Sequence, residues 1–317
     1  MNQALLDLDP LALAPLDRGG FDIGWDHAHH GLVPPPEWLA DVTAVSQGWS
    51  AGKAVYGRRT ARTARVTRLW LALRLQAWSL GLAFDRDHVT PAFLARLDYH
   101  RCPVRRTALG GLADHDDALV VERLNPGVGF VAGNLVAMSR AAQQCCAGID
   151  SLQARRLARR CEIEGGAIDG LDASAWWRVA VLRSFATALP FHEAARLPLA
   201  VLPAATLRPV NAAQRLQALV TKQFSAPGWS ARARLMASML PEHTLRHDFN
   251  LFVGALAPRL LEAAGQDWQS ALEDAWLTER VQRRWQHLLL SLGEAACSAL
   301  LEAAEACLQR APKRCSR

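Results

Sequence analysis

Glu122 and Arg123 stand side by side at the end of a short apolar run, Ala118 to Val121, and Gln143 follows further along the chain. A glutamate in such a place offers hard oxygen ligands to Mg²⁺ or another divalent cation. Arg123 brings charge but no base, because its pKa lies above about 12 and it takes up no proton near neutrality. The nearest imidazole is His115, set in the acidic stretch Asp114 to Asp117. It is a candidate general base. Asp26, His27, His29 and His30 also have the types for a divalent metal, yet they come from one short stretch, whereas metal sites gather distant ligands. They read as a loop whose histidines pair with neighbours.

The elements around Glu122 can be read from turn chemistry. Asn125, Pro126 and Gly127 break the apolar run, with Gly129 close behind, and Phe130 and Val131 restart it. Gly133 and Asn134 break it again before Leu135 to Met138, and Ser139 opens a helical segment. Asn and Gly supply the positive φ that such turns need. The stretch 116–144 therefore reads as strand, turn, strand, helix.

This order resembles the HNH, or His-Me finger, nucleases. In them an acidic-basic pair ends the first strand, a Gly-aromatic pair and a Gly-Asn pair follow, and a helix closes the unit. Those places here hold Glu122 and Arg123, Gly129 and Phe130, Gly133 and Asn134, and Ser139 to Gln143. Cys102 and Pro103 resemble the cysteine knuckle that often precedes the motif. The resemblance covers about residues 98–146. It implies a ββα finger, a divalent metal at the places of Glu122 and Gln143, and a general base at the place held by Arg123. The second cysteine pair of zinc-bearing members would fall near Met138 and Ala141, and one knuckle cysteine cannot build a four-ligand site, so no zinc is expected. The implied function is nucleic-acid binding, to DNA by preference, by a finger with a degenerate site and little or no phosphodiester cleavage. The alternatives are a metal-dependent endonuclease with rearranged catalytic residues, and a helical interaction protein keeping a relic finger.

Contact with nucleic acid needs cations. Arg58 to Leu82 carries no acid and has apolar residues at helical spacing: Val66, Leu69, Trp70, Leu73, Ala77 and Leu80. As one helix it would line up Arg58, Arg62 and Arg65, with Arg59 and Arg68 at the edges, and such a row can track a phosphate backbone. Arg105, Arg106, Arg123 and Arg140 add charge at the finger. The whole chain of 317 residues carries a formal charge of +6, which permits such a partner.

Elsewhere the chain predicts mainly helix. Residues 1–36 read as an irregular arm, punctuated by Gly19 and Gly20. Thr90 and Pro91 start a short helix. Gly165 to Gly170 reads as a linker, giving three regions: 1–97, with the arm and basic helix; 98–164, with the finger; and 171–317, a helical bundle whose core holds Trp268, Trp276 and Trp285. Thr278 to Arg310 reads as one long helix, and the bundle is a candidate seat for a protein partner. Seven cysteines at irregular spacing, with no CxxC, predict a reducing compartment, the cytoplasm. No apolar run reaches the ~18 residues that span a bilayer, so no membrane partner is expected.

Overall fold

In the computed structural model, which describes residues 17–61, 63–97, 99–110, 115–224, 228–262 and 267–310, the chain is mainly helical with one small antiparallel sheet. Fourteen α-helices fall among the described residues. The chain divides into two units, 1–95 with 129–131, and 96–128 with 132–317.

The first unit opens on α1 (Arg18–His29), where the sequence predicts an irregular arm. Asp17 caps it by accepting from the Gly20 amide at 3.2 Å. Gly20, Gly24 and Ala28 lie four apart on one stripe. They face Ala44, Val45 and Gly52 of α2 (Ala44–Tyr56). A Cβ on Gly24 would stand 1.9 Å from the Val45 carbonyl oxygen, and one on Gly48 the same distance from that of Phe21. Glycine here is a packing seam that lets two backbones touch. That close packing outweighs the ~1 kcal/mol each glycine costs a helix. The histidine-rich stretch lies on α1 rather than in a loop.

The continuous helix expected from Arg58 to Leu82 is not formed. Gly57, at φ 53°, ends α2, and α3 spans Arg65–Ser79. Between them the Ala61 amide donates to the His29 carbonyl at 2.9 Å, and the Thr63 hydroxyl donates to that of His30. These bonds to the end of α1 hold the connection out of helix. Arg58 and Arg59 therefore lie on the connection, Arg65 and Arg68 on the first turn of α3, and Arg62 outside the described residues. Leu80, expected on the apolar face, caps α3 and is 56% exposed. The buried face of α3 includes Arg74, which pairs with Asp26 and lies over the Trp70 ring. Burial holds the Arg74 pKa below the ordinary arginine value, against its bond to Asp26. Short α4 (Pro91–Leu94) starts as expected, Thr90 accepting from the Phe93 amide. Phe130 joins this unit by backbone bonds to Ala83 and Asp85, and a Cβ on Gly129 would meet the Ala83 carbonyl at 2.3 Å.

His27 is buried in α1, with Nδ1 at 2.8 Å from the Ile23 carbonyl oxygen. Burial lowers its pKa below 6.5, against the raising effect of that carbonyl. The unfolded chain therefore takes up this proton first as pH falls, so His27 stabilises the fold above about pH 6.5 and loses that contribution below it. Urea midpoints are expected to drop between pH 7.5 and 5, and to drop less in His27→Gln.

In the second unit, β1 (Leu119–Arg123) pairs antiparallel with β2 (Leu135–Ser139), from Leu119 opposite Ser139 to Arg123 opposite Leu135. Every residue of β2 is buried. Ser139 caps α5 (Arg140–Cys146), and Asp150 and Gln153 form a capping box on α6 (Ser151–Glu164). Helix α7 (Ala173–Phe185), capped by Asp172, is buried from Ala175 to its end. Then come α8 (Phe191–Ala194), α9 (Ala212–Phe224), α10 (Trp229–Ser238), α11 (His243–Glu262), α12 (Trp268–Ala275), α13 (Glu279–Leu292) and α14 (Glu294–Arg310). Phe252, Trp276 and Trp285 form the aromatic centre, with ring centroids 5.0–5.4 Å apart. Trp268, by contrast, is 39% exposed at the start of α12.

Two sequence expectations are corrected here. The long helix expected over 278–310 breaks at Gly293, at φ 77°, and α13 and α14 bend by 103°. The expected boundary at Gly165 to Gly170 merely joins α6 to α7. One hydrophobic core runs from Leu124 and Val136 through Trp176 to Leu301, so the hairpin and the C-terminal helices share a unit. No single helix among the described residues is long and apolar enough to cross a membrane.

Candidate functional site

The hairpin end is held by two asparagines. The Asn125 amide donates to Asn134 Oδ1 at 2.7 Å, and Asn134 Nδ2 donates to the carbonyls of Asn125 and Val128 at 3.1 and 3.3 Å. Asn125 Oδ1 accepts from the Gly127 amide at 3.0 Å, and its Nδ2 donates to the Ala186 carbonyl at 3.1 Å. Gly133, at φ 87°, turns the chain into β2. Gly133 takes the expected positive φ, whereas Asn125 and Asn134 do not and shape the turn through these side-chain bonds instead.

Arg123, in the half-buried last place of β1, lays its guanidinium across that turn. Its Nη1 donates to the Pro126 carbonyl at 2.7 Å and to that of Val128 at 3.2 Å. Glu122, beside it, accepts from Gln143 Nε2 of α5 at 3.1 Å. The two residues singled out as oxygen ligands are therefore in contact. The third member of the site is one that sequence reasoning missed. Arg183 of α7 places Nη1 3.9 Å from Glu122 Oε1, with its side chain only 4% exposed. It also donates to the carbonyls of Arg123, of Leu124 at 3.2 Å and of Cys146 at 2.9 Å. One guanidinium thus ties the end of β1, the end of α5 and the Glu122 carboxylate together. A cation entering at Glu122 would compete with that charge. The signal was there: Arg178 and Arg183 interrupt an otherwise apolar helix. Arg178 spends its Nε on the Val104 carbonyl at 2.7 Å. The Cys146 thiol, beside Arg183, is pushed up to about 11 by burial, so it is no nucleophile near neutral pH.

His115 does not join the site. It is exposed in the turn before β1, which is tied to α5 by the bond from the Ala141 amide to the Asp116 carbonyl at 3.0 Å. Glu122 sits toward the opposite end of β1. At ~3.3 Å per residue the strand places it roughly 10 Å beyond Leu119.

The expected cations divide into neutralised and free-standing groups. Arg106 is corrected as a nucleic-acid contact: it bonds Glu273 at 3.0 Å and Asp274 at 2.7 Å on α12. Burial opposes its charge, but the bond to Asp274 and the charge of Glu273 outweigh that and raise its pKa. Arg155, Arg159 and Arg160 on α6 pair with Glu193, Glu162 and Glu164. Arg105 is exposed, and Arg140 is half-buried in the first turn of α5. In the first unit Arg58, Arg59, Arg65 and Arg68 are all exposed, and none makes an ion pair among the described residues.

The other metal-type groups are absorbed by packing. Asp26 holds Arg74, and His29 stacks on Tyr56 with centroids 4.5 Å apart. Cys102 is buried in a tight turn, its sulfur accepting from the Arg105 amide at 3.4 Å and the Ser139 hydroxyl at 3.3 Å. Among the described residues no three His, Cys, Asp or Glu side chains converge on a metal position. Comparison with family models, with curated proteins and with solved structures finds no match to this chain.

Proposed function

We propose that this chain binds nucleic acid, duplex DNA by preference, through an HNH-like ββα finger that no longer hydrolyses phosphodiesters. The observation that carries the reading is Arg123, a guanidinium at the place where the resembled nucleases hold their general base. It is set on a hairpin backed by a short helix at the expected residues. A guanidinium there contacts phosphate but activates no water. Glu122 faces Arg183 and Gln143, so Mg²⁺ or another divalent cation would bind it weakly. Arg105 and Arg140 add charge beside the hairpin. Arg58, Arg59, Arg65 and Arg68 give the first unit a basic surface of its own.

The test is a salt titration of binding to a labelled duplex. Each phosphate neutralised on duplex DNA contributes about 0.9 to the slope of log K against log salt. Arg65→Glu combined with Arg68→Glu is expected to lower affinity by roughly tenfold or more at low salt. It should also flatten that slope by about 1.8, equally for all sequences. An unchanged slope would mean that this face of α3 is only solvated.

A further inference from the structure

Helix α13 buries Val281, Trp285 and Leu289 in the bundle and turns Arg280, Arg283, Arg284 and His287 outward. Those four stand at spacings of 3 and 4, so their heads form one patch on the exposed face. They line an open hollow of about 410 Å³. Among the described residues no carboxylate and no apolar residue shares that lining. Two of the four have acidic neighbours. Arg283 lies 3.6 Å from Glu279, but both side chains are exposed and solvent screens the pair. His287 lies 3.4 Å from Asp248 of α11. Arg280 and Arg284 make no ion pair among the described residues. Like charges four apart destabilise a helix, so α13 carries a repulsion that no acid relieves. An anion laid across the patch would relieve it. The absence of apolar residues narrows the kind of anion. A protein segment gains its affinity from buried anchor side chains, and the hollow offers such anchors no wall. A nucleic-acid backbone needs only cations. A guanidinium, moreover, can take two oxygens of one phosphate at once.

We infer that this face of α13 holds the phosphate backbone of a duplex, Arg280 and Arg284 each taking one phosphate. The inference rests on the nucleic-acid reading above and adds to it a contact on the C-terminal helices. The test is a salt titration of a labelled duplex against the full chain carrying Arg280→Gln and Arg284→Gln. Both positions are exposed, so the apolar face of α13 is untouched. Affinity at low salt is expected to fall by roughly tenfold or more, and the slope of log K against log salt to flatten by about 1.8. Arg160→Gln with Arg208→Gln is the control. It removes the same formal charge from exposed arginines that already pair with Glu164 and Glu305, and should leave the slope unchanged. A parent that retains the duplex while the α13 variant keeps the parental slope overturns this contact alone. An equal fall in variant and control also overturns it, as an effect of overall charge. A parent that never retains the duplex overturns both the contact and the reading beneath it. Labelled polyglutamate separates the occupants: binding as tight as the duplex, lost in the same variant, would overturn the phosphate assignment in favour of an acidic protein segment.

Discussion

Arg183→Met is expected to destabilise the second unit by about 3–5 kcal/mol, the usual cost of removing one partner from a buried ionic network. Methionine fills a similar volume, so the loss is of donors. The carbonyls of Leu124 and Cys146 would lose their bonds from the guanidinium, and Glu122 would lose its nearest cation. Against a typical total of ~5–15 kcal/mol this is a large fraction. Arg183→Lys should fall between, since an ammonium donates but cannot span three carbonyls and a carboxylate. Urea unfolding followed by tryptophan fluorescence and far-ultraviolet dichroism gives the numbers. A loss under about 1 kcal/mol would mean that the bonds around Arg183 carry little of the fold, a typical net value for one hydrogen bond.

Gly24→Ala is expected to behave opposite to helix propensity. In an exposed helix the change gains about 1 kcal/mol. Here the new methyl would sit 1.9 Å from the carbonyl oxygen of Val45, which is backbone and cannot swing aside. The two helices must separate, and the cost should reach or exceed the ~3 kcal/mol upper end of ordinary overpacking. Gly254→Ala is the control: it lies in α11, is exposed, and has nothing within 4 Å of the added Cβ. It should stabilise slightly. Thermal melts of the two variants are expected to move in opposite directions. A Gly24→Ala midpoint at or above the parent would contradict the seam.

Some of the structure was legible because the information was local. Asn125, Gly133 and Asn134 specify their turn through their own side chains and backbone freedom, and the hairpin followed from them. Thr90 and Pro91 did the same for α4, and the spacing of Trp276 and Trp285 pointed to the core. What was illegible depended on partners far along the chain. Gly20 read as a breaker until Ala44 of α2 supplied the surface it packs against. The helix expected from Arg58 gave way to backbone bonds with the end of α1, which no local propensity records. Arg106 looked like a free cation because Glu273 and Asp274 lie more than 160 residues away. Arg183 was hidden in plain view: a cation in an apolar helix marks a buried network, but its partners appear only once β1 and α5 are placed.

Binding without cutting is tested most directly by two parallel assays on the same preparation. One is the retention of a labelled duplex as salt is raised. The other is the integrity of supercoiled plasmid in Mg²⁺, in Mn²⁺ and in EDTA. The account predicts a duplex retained at low salt and released steeply as salt rises, with the plasmid intact in all three conditions. Metal-dependent nicking that disappears in Glu122→Ala would contradict the loss of catalysis, and a duplex never retained at low salt would contradict the binding itself.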